Sequence, residues 1–138
     1  MLTNGHTHFI LLGNQRNKYF WGDETRFKVN FAERLANGRK GFPYKSKVVG
    51  VIVGNIPKCE DEISLFIEKN WPLILLEDSE ISHVIKSVRN NLDVDEEDLK
   101  RYNKDFVDKI SSYPKLIEVD EDSEVLASAV HLCLTITI

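Results

Sequence analysis

The feature that most constrains this chain is an alternation of two hydrophobic periods. Residues 47–54 (KVVGVIVG) and 71–77 (WPLILLE) are apolar at nearly every consecutive position. A strand without a polar face must be covered on both sides, which is the situation of a parallel sheet flanked by helices. Between such runs lie segments whose apolar residues recur every three or four positions, the mark of amphipathic helices. Strand and helix in alternation specify an α/β fold with right-handed crossovers.

Along the chain the same logic places each element. Residues 8–13 (HFILLG) form a first apolar run. A helix follows, with Phe27, Phe31 and Leu35 at i, i+4 and i+8 and Gly38 as its stop signal. Residues 39–46 make a basic loop with Gly41 and Pro43. The second strand spans 47–53, and a helix over 59–70 then buries Ile63, Phe66 and Ile67. The third strand covers 71–76, with Pro72 near its start, where a missing donor is tolerable. Asp78 or Ser79 caps a helix burying Ile81, Val84, Ile85 and Val88. Asp95 starts another helix, carrying Leu99, Tyr102, Phe106 and Ile110 on one face and ending at Tyr113-Pro114. The last strand is 115–120, and Asp122 or Ser123 caps a final helix burying Leu126, Ala129, Val130 and Cys133. The expected order is βαβαβααβα: a Rossmann-like parallel sheet of about four strands with helices on both faces.

Size and charge narrow the function classes. The 138 residues suit one domain, taken as 1–138. A net charge of −4 disfavours nucleic acid as a partner, because such binders show a basic face. No apolar run approaches the ~20 residues of a membrane helix, so no direct membrane contact is expected. The N-terminus MLTNGHTH lacks the charged and apolar regions of a signal peptide, which predicts a cytoplasmic protein. Cys59 and Cys133 stand in no metal-ligand spacing and are expected to be reduced structural thiols.

The chemistry-bearing residues form no catalytic or metal constellation. His6 and His8 face the same side of a strand, but no third ligand accompanies them. His83 lies on a predicted helix with no nucleophile motif beside it. The acidic run Asp93, Asp95, Glu96, Glu97 and Asp98 lacks EF-hand spacing and is read as a solvated helix start. Asp23 and Glu24 are read as helix N-terminal residues, and Trp21 and Trp71 as packing residues.

Several blocks in order carry a family resemblance. HTHFILLGN followed by WGDET resembles the H-[ST]-H-F-I-L-V-D … G-x-E segment of the LSDAT family. This is the SLOG-type ligand-sensing domain of melastatin-type TRP channels and bacterial relatives. Residues 48–85 are similar to its strand, E-G-G-P turn, helix, strand and G-S-G-R turn. The similarity runs from about Thr3 to Val88 and corresponds to the second half of the family's domain. The first half, with its I-T-G-G turn, is not seen, so the chain is expected to be a piece of a larger domain or a pared-down relative.

The resemblance implies a cytoplasmic module that senses nucleotide-derived ligands such as ADP-ribose. Such ligands bind at the carboxyl ends of parallel strands, where helix N-termini offer free N–H groups to phosphate. It places Gly54, Asn55, Ser79 and Lys28 at the ligand site. Two departures stand out. The E-G-G-P turn has become Gly54, Asn55, Ile56, Pro57, and the G-S-G-R turn has become Asp78, Ser79, Glu80, Ile81. The flanking Glu60, Asp61, Glu62 and Glu77 would repel phosphate. The expectation is a non-enzymatic regulatory module with a degenerate site and no cofactor. The alternative is an interaction or assembly domain that has lost its ligand. The same reading expects a homo-oligomer, or contact with another protein or domain through the final helix and an outer strand.

Overall fold

The computed structural model describes residues 22–38, 46–53, 59–77, 79–94 and 96–135. Its elements run α1 (Thr25–Asn37), β1 (Gly50–Ile52), α2 (Glu60–Glu68), β2 (Leu73–Leu76), α3 (Glu80–Arg89), α4 (Glu96–Arg101), α5 (Lys104–Ser111), β3 (Leu116–Val119) and α6 (Ser123–Thr135). The three strands lie side by side in the order β1-β2-β3, and both pairings are parallel. Three of the four expected strands are thus in place. The first, residues 8–13, lies outside the described residues.

The register sorts the strand residues between the two faces. Gly50, Leu73 and Leu116 form one rung, and Ile52, Leu75 and Glu118 another, on the same face. Ile52, Leu73, Leu75 and Leu116 pack there with Ile63 of α2, Ile81, Val84 and Ile85 of α3, and Phe106, Val107 and Ile110 of α5. Val51, Ile74 and Ile117 form the rung that points the other way. On that second face Ile74, Leu76 and Val119 meet Leu126, Ala129, Val130 and Cys133 of α6. Helices therefore flank both faces, α2, α3 and α5 on the first and α6 on the other. Leu75, Ile81 and Ile85 are completely buried, and each such side chain contributes ~1.5–3 kcal/mol over its exposed state.

Local signals explain where helices stop. α2 ends on Asn70 in the left-handed region (φ 57°), with Trp71 N–H donating to Phe66 O and Asn70 N–H to Ile67 O. α3 ends the same way on Asn91 (φ 52°), with Leu92 N–H donating to Ser87 O. Both are Schellman closures in which asparagine does the work usual for glycine. α6 starts where Asp122 Oδ1 accepts from the N–H groups of Glu124 and Val125.

Two expectations need correction. The helix expected to run from Asp95 through Ile110 is broken into α4 and α5, because Asn103 adopts an extended conformation and accepts from Asp105 N–H as an N-cap. More consequential is the roll of α1. Phe27, Phe31 and Leu35, its apolar stripe, are 45%, 37% and 51% exposed. The buried residue is Val29, about half a helical turn away. Thr25, Ala32 and Ala36 flank it on the inward side. Packing against α2 fixes this roll, and ion pairs at both ends hold it: Lys28–Glu62 at 2.9 Å and Glu33–Lys69 at 2.7 Å.

Candidate functional site

A cleft of about 320 Å³ opens along β1, between that strand and α2. Its described lining is Val49, Gly50, Val51, Ile52 and Val53 from the strand, Leu73 from its neighbour, and Cys59, Glu62, Ile63 and Phe66 from α2. The volume sits at the small end of the ~300–1,000 Å³ typical of ligand sites. Residues from both faces of β1 contribute, so the cleft follows the strand's outer edge.

Gly50 makes this arrangement possible. A Cβ there would lie 2.7 Å from Leu73 Cδ2 and 2.9 Å from Phe66 Cδ1. The Phe66 ring can settle against β1 only because no side chain occupies that position. Its other side meets Trp71 edge-on, with ring centroids 5.1 Å apart. Trp71 is in turn fixed by its carbonyl, which accepts from the Tyr113 hydroxyl at 2.8 Å. Burial pushes the Tyr113 phenol pKa up, so it stays a donor.

The polar side of the cleft is a single group. Among the described lining residues Glu62 alone is charged, and Lys28 Nζ donates to its Oε2 at 2.9 Å. Glu24 lies 3.9 Å from the same ammonium. Both partners are partly exposed, so the pair is worth no more than ~1 kcal/mol of stability. Its effect is positional: Lys28, beside the cleft, is directed onto a carboxylate. The neighbouring acids of α2 are also engaged. Glu60 accepts from Asn103 N–H at 3.2 Å, and Glu68 from Lys109 at 3.1 Å.

The residues singled out from sequence fare differently. Lys28 stands at the cleft through Glu62. Ser79 does not line it; the residue is 8% exposed and its hydroxyl donates to Leu76 O at 2.8 Å. Lys28 and Ser79 are not brought together. Gly54 and Asn55 lie outside the described residues. His83 is exposed on α3, and Cys59 is half-buried at the N-cap of α2. Among the described residues, no three of His, Cys, Asp and Glu are grouped to hold a cation. None of the described helices is long and apolar enough to cross a membrane.

Sequence reasoning missed Glu118. It occupies a rung otherwise made of Ile52 and Leu75, under α3. Arg89 donates to its Oε1 at 2.8 Å, Ser82 Oγ to Oε2 at 3.3 Å, and Lys86 lies 3.7 Å away. Arg89 Nε also donates to Ser111 O at 2.8 Å, tying α3 to α5 as well as to β3. The signal in the sequence was the lone acid inside the strand LIEV.

No curated protein and no solved structure matches the chain. A family model, described as SLOG in TRPM, prokaryote, matches residues 1–127. The parallel α/β core and this match agree with each other, and the chain belongs to the prokaryotic LSDAT family of SLOG domains.

Proposed function

We propose that this chain is a non-enzymatic, cytoplasmic regulatory module in which the ligand-sensing fold of the family is kept and its grip on phosphate is lost. One observation carries this reading. The cleft at β1 and α2 is lined by apolar groups and one carboxylate, and the nearby Lys28 is already bound to that carboxylate at 2.9 Å. Among the described lining residues, a phosphate entering here would meet the carboxylate of Glu62 and no cation. A like-charge contact at ~4 Å costs a few kcal/mol at an effective dielectric of ~20. The altered turns at Gly54-Asn55 and at Ser79 point the same way, since backbone approach to a pyrophosphate depends on glycine. A ligand suited to this lining is largely apolar and lacks phosphate. We further propose that residues 8–13 supply a fourth parallel strand, completing the Rossmann-like sheet.

Titration calorimetry with ADP-ribose and NAD tests the proposal. The expected result is no saturable heat at ligand concentrations up to about 1 mM, a Kd that corresponds to ~4 kcal/mol. Binding in the micromolar range would overturn it, and Lys28, Asn55 and Ser79 would then be the residues to mutate. A second reading, an interaction or assembly domain, is favoured by a separate observation: Val51 and Val53 remain 43% and 66% exposed on the sheet.

A further inference from the structure

We infer that Asn37-Gly38, at the end of α1, is a self-modification site: in the folded chain the Asn37 side chain passes through a cyclic imide to aspartate and isoaspartate, with water as the reactant consumed. This holds whether or not the cleft takes a ligand. Asn37 is the last residue of α1 and is exposed, and Gly38 follows it at φ 68° and ψ 170°. In α2, α3 and α5 the residue after the helix donates its N–H to a carbonyl of the last turn: Lys69 to Leu65 O, Asn90 to Lys86 O and Ser112 to Asp108 O. The N–H of Gly38 makes no comparable bond among the described residues.

Asparagines at the other helix ends are held in place. Asn70 and Asn91 also close helices, but the amide after each is engaged: Trp71 N–H donates to Phe66 O at 3.1 Å and Leu92 N–H to Ser87 O at 2.9 Å. After Asn90, the N–H of Asn91 donates to Val88 O at 3.2 Å. Asn103 has its own Oδ1 accepting from Asp105 N–H at 2.9 Å. Each of these four is followed by a residue with a side chain, whose Cβ crowds the amide nitrogen. Gly38 has none, so its nitrogen can approach a neighbouring group closely. Terminal turns open at almost no cost in free energy, which lets the peptide between Asn37 and Gly38 rotate toward the Asn37 side chain.

A base takes the proton from the Gly38 amide, and the nitrogen attacks Asn37 Cγ. The N–Cγ bond forms, the Cγ–Nδ2 bond breaks, and ammonia leaves with the proton, which restores the base. Water then adds to either carbonyl of the cyclic imide. Opening at Cγ gives aspartate. Opening at the main-chain carbon routes the backbone through Cβ and Cγ and gives isoaspartate. The sum is an amide and water converted to an acid and ammonia, with no change of oxidation state. The new carboxylate adds one negative charge to the −4 of the chain, at the negative end of the α1 dipole.

Peptide mapping by mass spectrometry tests this on the full chain, incubated at mildly alkaline pH both folded and in urea. The tryptic peptide of residues 35–39 (LANGR) holds the pair, so it is read apart from Asn4-Gly5, the other Asn-Gly pair of the chain. The peptide should gain the mass difference between amide and acid in separable aspartate and isoaspartate forms, and Asn37→Gln should abolish both. The folded chain should convert Asn37 within about tenfold of the rate in urea, because the end of α1 gives no protection. In the folded chain Asn70, Asn90, Asn91 and Asn103 should each convert at least ~tenfold more slowly than Asn37. Conversion of Asn37 more than about tenfold slower folded than in urea would overturn the inference. So would Asn70 or Asn91 converting as fast as Asn37, or a product without isoaspartate, which would mean direct hydrolysis and no imide.

Discussion

The two faces of this small sheet have opposite characters. On the first, α2, α3 and α5 close over the strands, and even the intruding carboxylate of Glu118 is provided with Arg89, Lys86 and Ser82. On the second, among the described residues, α6 packs against β2, β3 and Val49 just before β1, while Val51 and Val53 are 43% and 66% exposed. The cleft, too, lies along β1 and not along β3. The comparison separates scaffold from working surface. β2, β3, α3 and α5 hold the fold, and β1 with α2 and α6 presents what another molecule could meet.

The contrast predicts unequal responses to truncation. Leu75→Ala and Ile85→Ala should each cost ~2–5 kcal/mol in urea unfolding, because both side chains are fully buried and leave cavities. Leu132→Ala, on the other face, should fall within ~0.5 kcal/mol at concentrations where the chain is monomeric. Equal costs on the two faces would break the comparison.

Gly50→Ala tests the boundary between the two regions. Its new methyl group meets Phe66 and Leu73 at under 3 Å, and overpacking of this kind costs ~1–3 kcal/mol. Because Phe66 touches Trp71, the tryptophan emission should shift with it. A variant with unchanged stability and emission would show that the Phe66 contact is loose. Glu118→Ala should cost a comparable ~1–3 kcal/mol, since charge-assisted hydrogen bonds are lost from a partly buried position. A double-mutant cycle with Arg89→Ala separates the pair's coupling from cavity effects.

The smallest effects are those of the thiols and of alkaline pH. Burial pushes the Cys133 thiol above its ordinary 9.0 and the Tyr113 phenol above 10.0. Raised folded-state values mean stability fully present below the unfolded values and lost as pH rises through the folded ones. The unfolding midpoint should therefore begin to fall only above about pH 9, by an amount small beside the core substitutions. In the native state Cys59, half-buried, should react with a thiol reagent well before Cys133, which is 2% exposed. Equal rates would mean that α6 detaches readily.

Much of the fold was legible because its signals are local. The runs of 47–54 and 71–77 declared doubly covered strands, and the face of α6 with Leu126, Ala129, Val130 and Cys133 was read correctly from its spacing. The roll of α1 was not. Period alone picks out Phe27, Phe31 and Leu35, but which side of a helix meets its neighbour depends on tertiary packing, here that of α1 on α2 with Val29 buried. The break at Asn103 was hidden for a related reason: an asparagine between two helix-forming stretches becomes a cap only when a new axis is available for the chain that follows. At the cleft, Lys28 could be picked out by sequence resemblance, but not the fact that Glu62 holds it, 34 positions away.

The division into scaffold and open surface is tested most directly by native-state hydrogen exchange on the full chain at about 2 µM, where association is minimal. The account predicts slowest exchange in β2, β3, α3 and α5, with the amides of β1 and α6 exchanging at least ~10-fold faster. Protection of β1 and α6 equal to that of β2 at this concentration would contradict it, and would mean that the second face is already closed within one chain.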